Sequence, residues 1–176
     1  DNRSDGYIDL WLARTVDAAT PLPAVTSVSK ATLSASVEAP AKALEAVRDG
    51  RFGPSSDHRP TPRFSWPDAA DAPGWIECRW DEPRELSRTA VCWAVDRRAQ
   101  VYWGPRIRGS DLVMPESWRI SYYDGSRWLP VETDDTFTLR LDLFNEVRFK
   151  PVKTTALRLE VDFGAAPCAV QEWRVD

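Results

Sequence analysis

The feature that most constrains the fold is a regular alternation of apolar and polar side chains with a period of two. Residues 118–123 read WRISYY and residues 157–163 read LRLEVDF, so apolar side chains occupy every second position. Successive side chains of a strand point to opposite faces, and each segment is therefore predicted to be a strand with one wet face. Asp124-Gly125 separates SWRISYY from RWLPVE, and such a pair between alternating segments predicts a hairpin turn.

Helix-forming sequence is scarce in this chain. One segment, AKALEAVR between Pro40 and Asp49, has helical spacing, and Asp49-Gly50 ends it. Several short strands with prolines at their edges predict an all-β fold, an antiparallel two-sheet β-sandwich or jelly roll with one short helical turn. Residues 1–30 contain the aperiodic run TPLPAVTSVSK, which predicts a connector from a preceding domain, and residues 31–176 are predicted to form one β-sandwich module.

Composition excludes several classes of partner. The 176 residues include 23 basic and 27 acidic side chains, for a net charge of −4, so the chain lacks the basic field that attracts nucleic acid. No apolar run approaches the roughly 20 residues of a membrane helix. One histidine and three separated cysteines argue against a zinc ribbon or a disulfide framework. Cys78 and Cys92 are predicted on opposite sides of the sheet, which favours unpaired thiols over a bridge.

The pattern gives no support for catalysis. Glycosidases need two carboxylates roughly 5 to 9.5 Å apart, a spacing that some pair among 27 acidic residues meets by chance. His58 lies in the proline-rich segment SSDHRPTP, and the chain has no Gly-x-Ser-x-Gly nucleophile motif. We therefore expect no catalytic residues and no enzyme.

Four segments occur in an order that is typical of one superfamily. They are DGRFGPSSDHRPTPRFSWPDAADAPGWIECRWDEPRELSRTAVCW, PESWRISYYDGSRWLPV, NEVRFKPVKTTALRLEVDF and QEWRV. Over residues 31–176 the chain resembles the galactose-binding-like β-sandwich of discoidin and coagulation-factor C domains and of several carbohydrate-binding modules. The likeness is greatest to modules at the C-terminal end of bacterial glycoside hydrolases such as β-L-arabinofuranosidase-like enzymes. The resemblance implies an eight-stranded jelly roll, a non-catalytic role beside an enzyme and, in many members, a structural calcium.

The resemblance also implies where calcium would bind. Calcium takes six to eight oxygen ligands, commonly carboxylates mixed with backbone carbonyls of a tight loop. Asp49 and Ser56 lie in such a loop, and Glu172 in QEWRV corresponds to the glutamate that relatives use on their last strand. The insertion FGPSSDHRP departs from the family spacing and leaves the ligand after Asp49 open. The alternative is an Asp-Gly helix end and a solvated glutamate.

Tryptophans are abundant, with nine in the chain. Four of them share strand faces with Ile, Val or Leu and are predicted to be core: Trp80, Trp93, Trp118 and Trp173. A sugar ring stacks on an aromatic side chain while its hydroxyl groups bond to arginine, so loop aromatics near arginines form the candidate carbohydrate site. The candidates are Trp66, Trp75, Tyr102, Trp103, Arg106 and Arg108. The alternative is that Trp103 only pins its loop to the end of the barrel.

Two functions remain open at this point. One is a secreted or periplasmic carbohydrate-binding module that targets an attached glycoside hydrolase to a poly- or oligosaccharide. The other is a structural accessory domain that packs on the catalytic domain of the same parent chain and binds no sugar. Exposure of the loop aromatics separates the two, because a binding site needs its rings in solvent.

Overall fold

The fold is an antiparallel β-structure with one short helix. The structure is a computed structural model and describes residues 26–66, 73–96, 112–162 and 167–176. The strands are β1 Thr32–Ala35, β2 Phe64–Ser65, β3 Gly74–Ala94, β4 Ser117–Tyr123, β5 Trp128–Pro130, β6 Asn145–Asp162 and β7 Ala169–Val175. Helix α1 spans Ala41–Glu45, and 3₁₀ turns span Ser27–Lys30 and Ala46–Arg48. Among the described residues, none of the helices is long and apolar enough to cross a membrane.

Two long strands organise the sheet. The strand order is β2-β7-β3-β6-β4-β5, and β1 also pairs with β3. The first half of β3 lies between β1 and β6, whereas its second half lies between β6 and β7. The pairing of β3 with β6 changes register between Arg79 and Arg84. Because such irregularities bend strands, β3 and β6 contribute to both layers of the fold.

Tryptophans from the two layers meet in the core. Trp93 in the second half of β3 lies edge-on to Trp118 of β4, with ring centroids 6.0 Å apart. Trp80 and Trp173 are also buried. The four predicted core tryptophans and the predicted all-β sandwich are therefore confirmed. The three cysteines are buried and unpaired, as expected.

The predicted hairpin joins β4 to β5. The Asp124 carboxylate accepts the backbone N–H groups of Ser126 and Arg127 at 2.8 and 2.9 Å, and Gly125 has a φ of 103° that favours glycine. Tyr123 then pairs with Trp128. Local turn chemistry thus fixes the register of this strand pair.

The short helix and the residues before β1 close one end of the sandwich. Helix α1 and the 3₁₀ turn after it lie where helical spacing predicted them. Residues 26–30, predicted as part of the connector, instead pack with the domain. Val28 is fully buried, and the carbonyl of Ser27 accepts the indole N–H of Trp80 at 2.8 Å. Residues 1–25 lie outside the described part of the chain, and the predicted connector role stays a prediction for them.

Candidate functional site

Trp66 is a core residue and not a surface platform. Its side chain is 0% exposed, and its ring lies edge-on to Phe64 with centroids 4.8 Å apart. The indole N–H donates to the Ser36 hydroxyl at 3.2 Å, and the same hydroxyl accepts the backbone N–H of Trp75 at 3.1 Å. The prediction that Trp66 stacks on a sugar is therefore wrong, because packing against Phe64 and Ser36 leaves the ring no face in solvent.

Trp75 has part of its side chain exposed to solvent, the condition that the sequence analysis set for a sugar-binding aromatic residue. It lies near the start of β3, is partly exposed, and stacks on the guanidinium of Arg158, whose central carbon is 4.3 Å from the ring centroid. The other four candidates, Tyr102, Trp103, Arg106 and Arg108, lie outside the described residues, and their role in sugar binding stays a prediction.

A second tryptophan lies on the same side of the sheet as Trp75. Trp128 of β5 also contacts the Arg158 guanidinium, whose central carbon is 4.0 Å from the ring centroid of Trp128. Cross-strand register brings these side chains together, because β3, β6, β4 and β5 are neighbours in the sheet. Arg158 and Trp128 were missed as site residues. For Arg158 the available signal was its alternation with the core residues Leu157 and Leu159, whereas the three-residue strand of Trp128 has no buried residue to set a period.

The loop after Asp49 is bound to the last strand by direct hydrogen bonds, which the sequence did not predict. The backbone N–H of Gly50 donates to the Glu172 carboxylate at 3.1 Å, and that of Gly53 donates to the Gln171 side-chain oxygen at 3.2 Å. The Gln171 amide in turn donates to the carbonyls of residues 55 and 56 at 3.3 Å. Two adjacent side chains of β7 therefore fix the path of this loop.

Glu172 is a buried carboxylate with incomplete charge compensation. It is 3% exposed, and the nearest guanidinium nitrogen, Nε of Arg174, is 3.7 Å from its Oε1. Burial raises the pKa of Glu172 to about 7; the negative charge of Asp49 adds to this rise, while Arg174 and the Gly50 N–H oppose it. The alternative of a solvated glutamate is therefore wrong.

The donor set fits calcium only in part. Asp49 and Glu172 supply two hard oxygen groups, and a cation beside them would offset their mutual repulsion. Ser56, the third predicted ligand, is engaged elsewhere, since its N–H donates to the Asp142 carboxylate at 2.7 Å and its hydroxyl accepts the Asp142 N–H at 2.8 Å. The described residues hold no group of three or more His, Cys, Asp or Glu side chains that could bind a metal. Further ligands would have to come from backbone carbonyls.

Gly53 is a point of close approach in this loop. A Cβ atom built there would lie 2.6 Å from the Cβ of His58 and 2.6 Å from the hydroxyl oxygen of Thr61. These neighbours are held together by a 2.6 Å hydrogen bond between the His58 ring Nδ1 and the Thr61 hydroxyl. His58 therefore has a packing role in this loop.

We expect Gly53→Ala to lower the free energy of unfolding by about 1 to 3 kcal/mol, because the added methyl forces the loop to shift. Urea denaturation measures the change. Arg51→Ala in the same loop is the matched control and should stay within about 0.5 kcal/mol of the parent, since its side chain is exposed. Equal midpoints for Gly53→Ala and Arg51→Ala would contradict the close approach.

Comparison with known proteins gives the fold. No protein-family model and no curated protein sequence matches the chain. Solved structures do match. A chain of the Streptococcus pneumoniae β-galactosidase BgaA is 15% identical with a TM-score of 0.64, covering 88% of this chain and 96% of its own. Chitosan-binding module 1 of a chitosanase/glucanase from Paenibacillus sp. IK-5 is 17% identical with a TM-score of 0.55, covering 84% and 95%.

A third match is a module solved with a bound sugar. The CBM32 of AlyQ, in complex with 4,5-unsaturated mannuronic acid, is 12% identical with a TM-score of 0.51, covering 82% of this chain and 93% of its own. These similarities establish the fold. The chain has the β-sandwich fold that these carbohydrate-binding modules share, in agreement with the fold that its sequence predicted.

Proposed function

We propose that this chain is a non-catalytic carbohydrate-binding module that holds an attached glycoside hydrolase on its polysaccharide. The observation that carries the proposal is the near full-length structural similarity to modules whose names state carbohydrate binding. A partly exposed pair of tryptophans beside arginines supports it, since such a surface suits sugar rings and their hydroxyl groups. Polysaccharide lies outside the cytoplasm, so this function implies a secreted or periplasmic chain.

The second candidate function is a structural accessory domain. Burial of Trp66 favours it, because one aromatic residue expected in the binding site belongs to the core. An accessory domain would pack on the catalytic domain of its parent chain without binding sugar. The two functions differ in one measurable property, the affinity of the isolated chain for glycans.

We expect the isolated chain to bind at least one glycan with a dissociation constant on the order of 0.1 to 1 mM. One stacked ring and a few exposed hydrogen bonds, each worth about 1 kcal/mol, give no tighter binding. A glycan array identifies candidate sugars, and affinity gel electrophoresis with the corresponding polysaccharides measures the affinity. An accessory domain would give a different result. The folded chain would be retarded by no polysaccharide, and it would melt at a higher temperature when fused to its catalytic domain than when isolated.

A structural calcium belongs to the same proposal. Asp49 and Glu172 would hold the ion through their carboxylates, with backbone carbonyls of residues 47–57 completing the six to eight oxygens that calcium requires. The ion would supply the positive charge that buried Glu172 lacks and would join the loop to β7. Its role is in stability and not in chemistry.

A further inference from the structure

A row of indole and guanidinium groups crosses the side of the sheet that faces away from the core. We call it the outer indole face and define it by Trp75, Trp128, Arg158, Arg79 and Arg119. Pairing places them on one side, because Trp75 is opposite Glu160, which is in turn opposite Arg119, while Glu77 is opposite Arg158. Residues between them on the same strands, such as Ile76 and Leu159, are fully buried in the core.

Arginines are the more exposed members of the ion pairs on this face. Two of its carboxylates lie low, with side chains that are 9% exposed for Glu77 and 16% exposed for Glu160, whereas Asp162, two residues beyond Glu160 on the same side of β6, is exposed. The guanidinium groups paired with them at 2.7 and 2.6 Å are 49% and 65% exposed, for Arg79 and Arg119 respectively. Arg158 shares Glu77, at 2.9 Å, so three arginines stand over two glutamates. A ligand that approaches Arg79 or Arg119 therefore meets the guanidinium before it meets the glutamate paired with it.

The aromatic groups of the face are held in fixed positions. Arg158 lies between Trp75 and Trp128, with its central carbon within the roughly 6 Å range of cation–π contact for both rings. Both indoles keep part of their surface in solvent. Fixed, partly exposed rings lose little freedom when a sugar stacks on them, which favours binding.

We infer that the outer indole face binds an acidic polysaccharide, one built from uronate units. The indoles would stack on the sugar rings, and Arg79 and Arg119 would pair with the ring carboxylates, for which the planar guanidinium is suited. This inference rests on the proposed function and adds to it the ligand class and the place of binding. A neutral glycan would use the rings but would offer no carboxylate to the exposed sides of Arg79 and Arg119.

The test uses affinity electrophoresis of the full chain in gels containing polygalacturonate. Fully methyl-esterified polygalacturonate is the matched ligand control, because it keeps the sugar backbone and removes the carboxylate charges. We expect retardation by the acid form, none by the ester, and weaker retardation as salt screens the charges. The double variant Arg79→Gln/Arg119→Gln should lose at least tenfold in affinity with an unchanged melting temperature, and Trp128→Ala should lose a similar factor.

A matched double variant controls for net charge. Arg88 and Arg148 are also exposed, at 49% and 75%, and also pair with a glutamate, Glu146, but they lie on the other half of β3 and β6. Arg88→Gln/Arg148→Gln should therefore bind within twofold of the parent. Equal losses in the two double variants would mean unspecific attraction and would overturn the inference.

Other outcomes separate this inference from the proposed function. Two outcomes would overturn the assignment of the acidic site to the outer indole face: equal binding of the acid and the ester, or loss of binding only in Trp103→Ala. In either case the proposed function as a carbohydrate-binding module would stand. Absence of retardation by any polysaccharide would overturn both. If the chain instead sediments as a dimer that Trp128→Ala dissociates, the face is a protein interface and the inference is wrong.

Discussion

Trp66→Ala is expected to lower the free energy of unfolding by about 3 to 5 kcal/mol, the range for truncating a large buried aromatic side chain. The indole is fully buried against Phe64, and its N–H has the Ser36 hydroxyl as acceptor, so the variant loses packing and a hydrogen bond together. Chemical denaturation followed by circular dichroism measures the loss. In a domain of ordinary stability this is a large share of the total.

Trp75→Ala is the comparison that gives this result its meaning. Trp75 is partly exposed, and its ring contacts the guanidinium of Arg158. Trp75→Ala should therefore lower the free energy of unfolding by only about 1 kcal/mol. The opposite outcome would be a Trp66→Ala variant that loses glycan binding while its free energy of unfolding stays within about 1 kcal/mol of the parent value. Trp66 would then belong to the binding surface, and its assignment to the core would be wrong.

Local pattern was sufficient to predict the elements that carry the core. Alternation identified β4 and the end of β6, and the chemistry of Asp124 and Gly125 identified the hairpin, since these signals lie within a few residues of each other. The faces of Trp93 and Trp118 followed from their apolar neighbours on the same strands. These predictions depend on period and on turn residues, both of which the sequence displays directly.

The burial of Trp66 depends on residues that are distant from it in sequence. It lies beside a run of proline, alanine and aspartate, so the sequence resembles an exposed loop at that point. Burial comes from Ser36, thirty positions earlier, and from the pairing of β2 with β7. No local period records such contacts, and for that reason the sequence did not distinguish Trp66 from a loop tryptophan.

The outer indole face illustrates the same limit for a sheet. Trp75, Trp128 and Arg158 belong to three strands, and alternation with Leu157 and Leu159 places Arg158 on the side away from the core. Their meeting depends on the strand order β3-β6-β4-β5 and on the register of each pair. A shift of one residue in any pair would separate them.

The direction of the Glu172 side chain was predicted correctly, but its burial was not. Alternation with Trp173 and Val175 placed it away from the sandwich interior, but the loop after Gly50 covers it. The path of that loop is set by single hydrogen bonds and by close contact at Gly53, and neither has a sequence period.

Burial of Glu172 gives the metal-free protein an unusual pH dependence. Its pKa is about 7 in the folded chain against an ordinary value of 4.5. As the pH rises between these values, the unfolded chain releases the proton first, so the folded state loses stability. At about 1.4 kcal/mol per pKa unit the loss reaches about 3 kcal/mol by neutral pH. Below pH 4.5 this contribution is constant, because both states are protonated.

Calcium should reverse the sign of this dependence. An ion at the proposed site would bind the ionised carboxylate and would thereby lower the pKa of Glu172 in the folded state, so that stability would be lost as the pH falls. At one hundred times its dissociation constant the ion should add about 2.7 kcal/mol at neutral pH. Thermal melting from pH 4 to 8, with chelator and with calcium, measures both effects.

Glu172→Gln keeps an acceptor for the Gly50 N–H but neither titrates nor carries charge, so it should lose both effects relative to the parent. A parent whose melting curves with chelator and with calcium coincide at neutral pH has no calcium site at Glu172, whereas a pH dependence that survives in Glu172→Gln comes from another carboxylate.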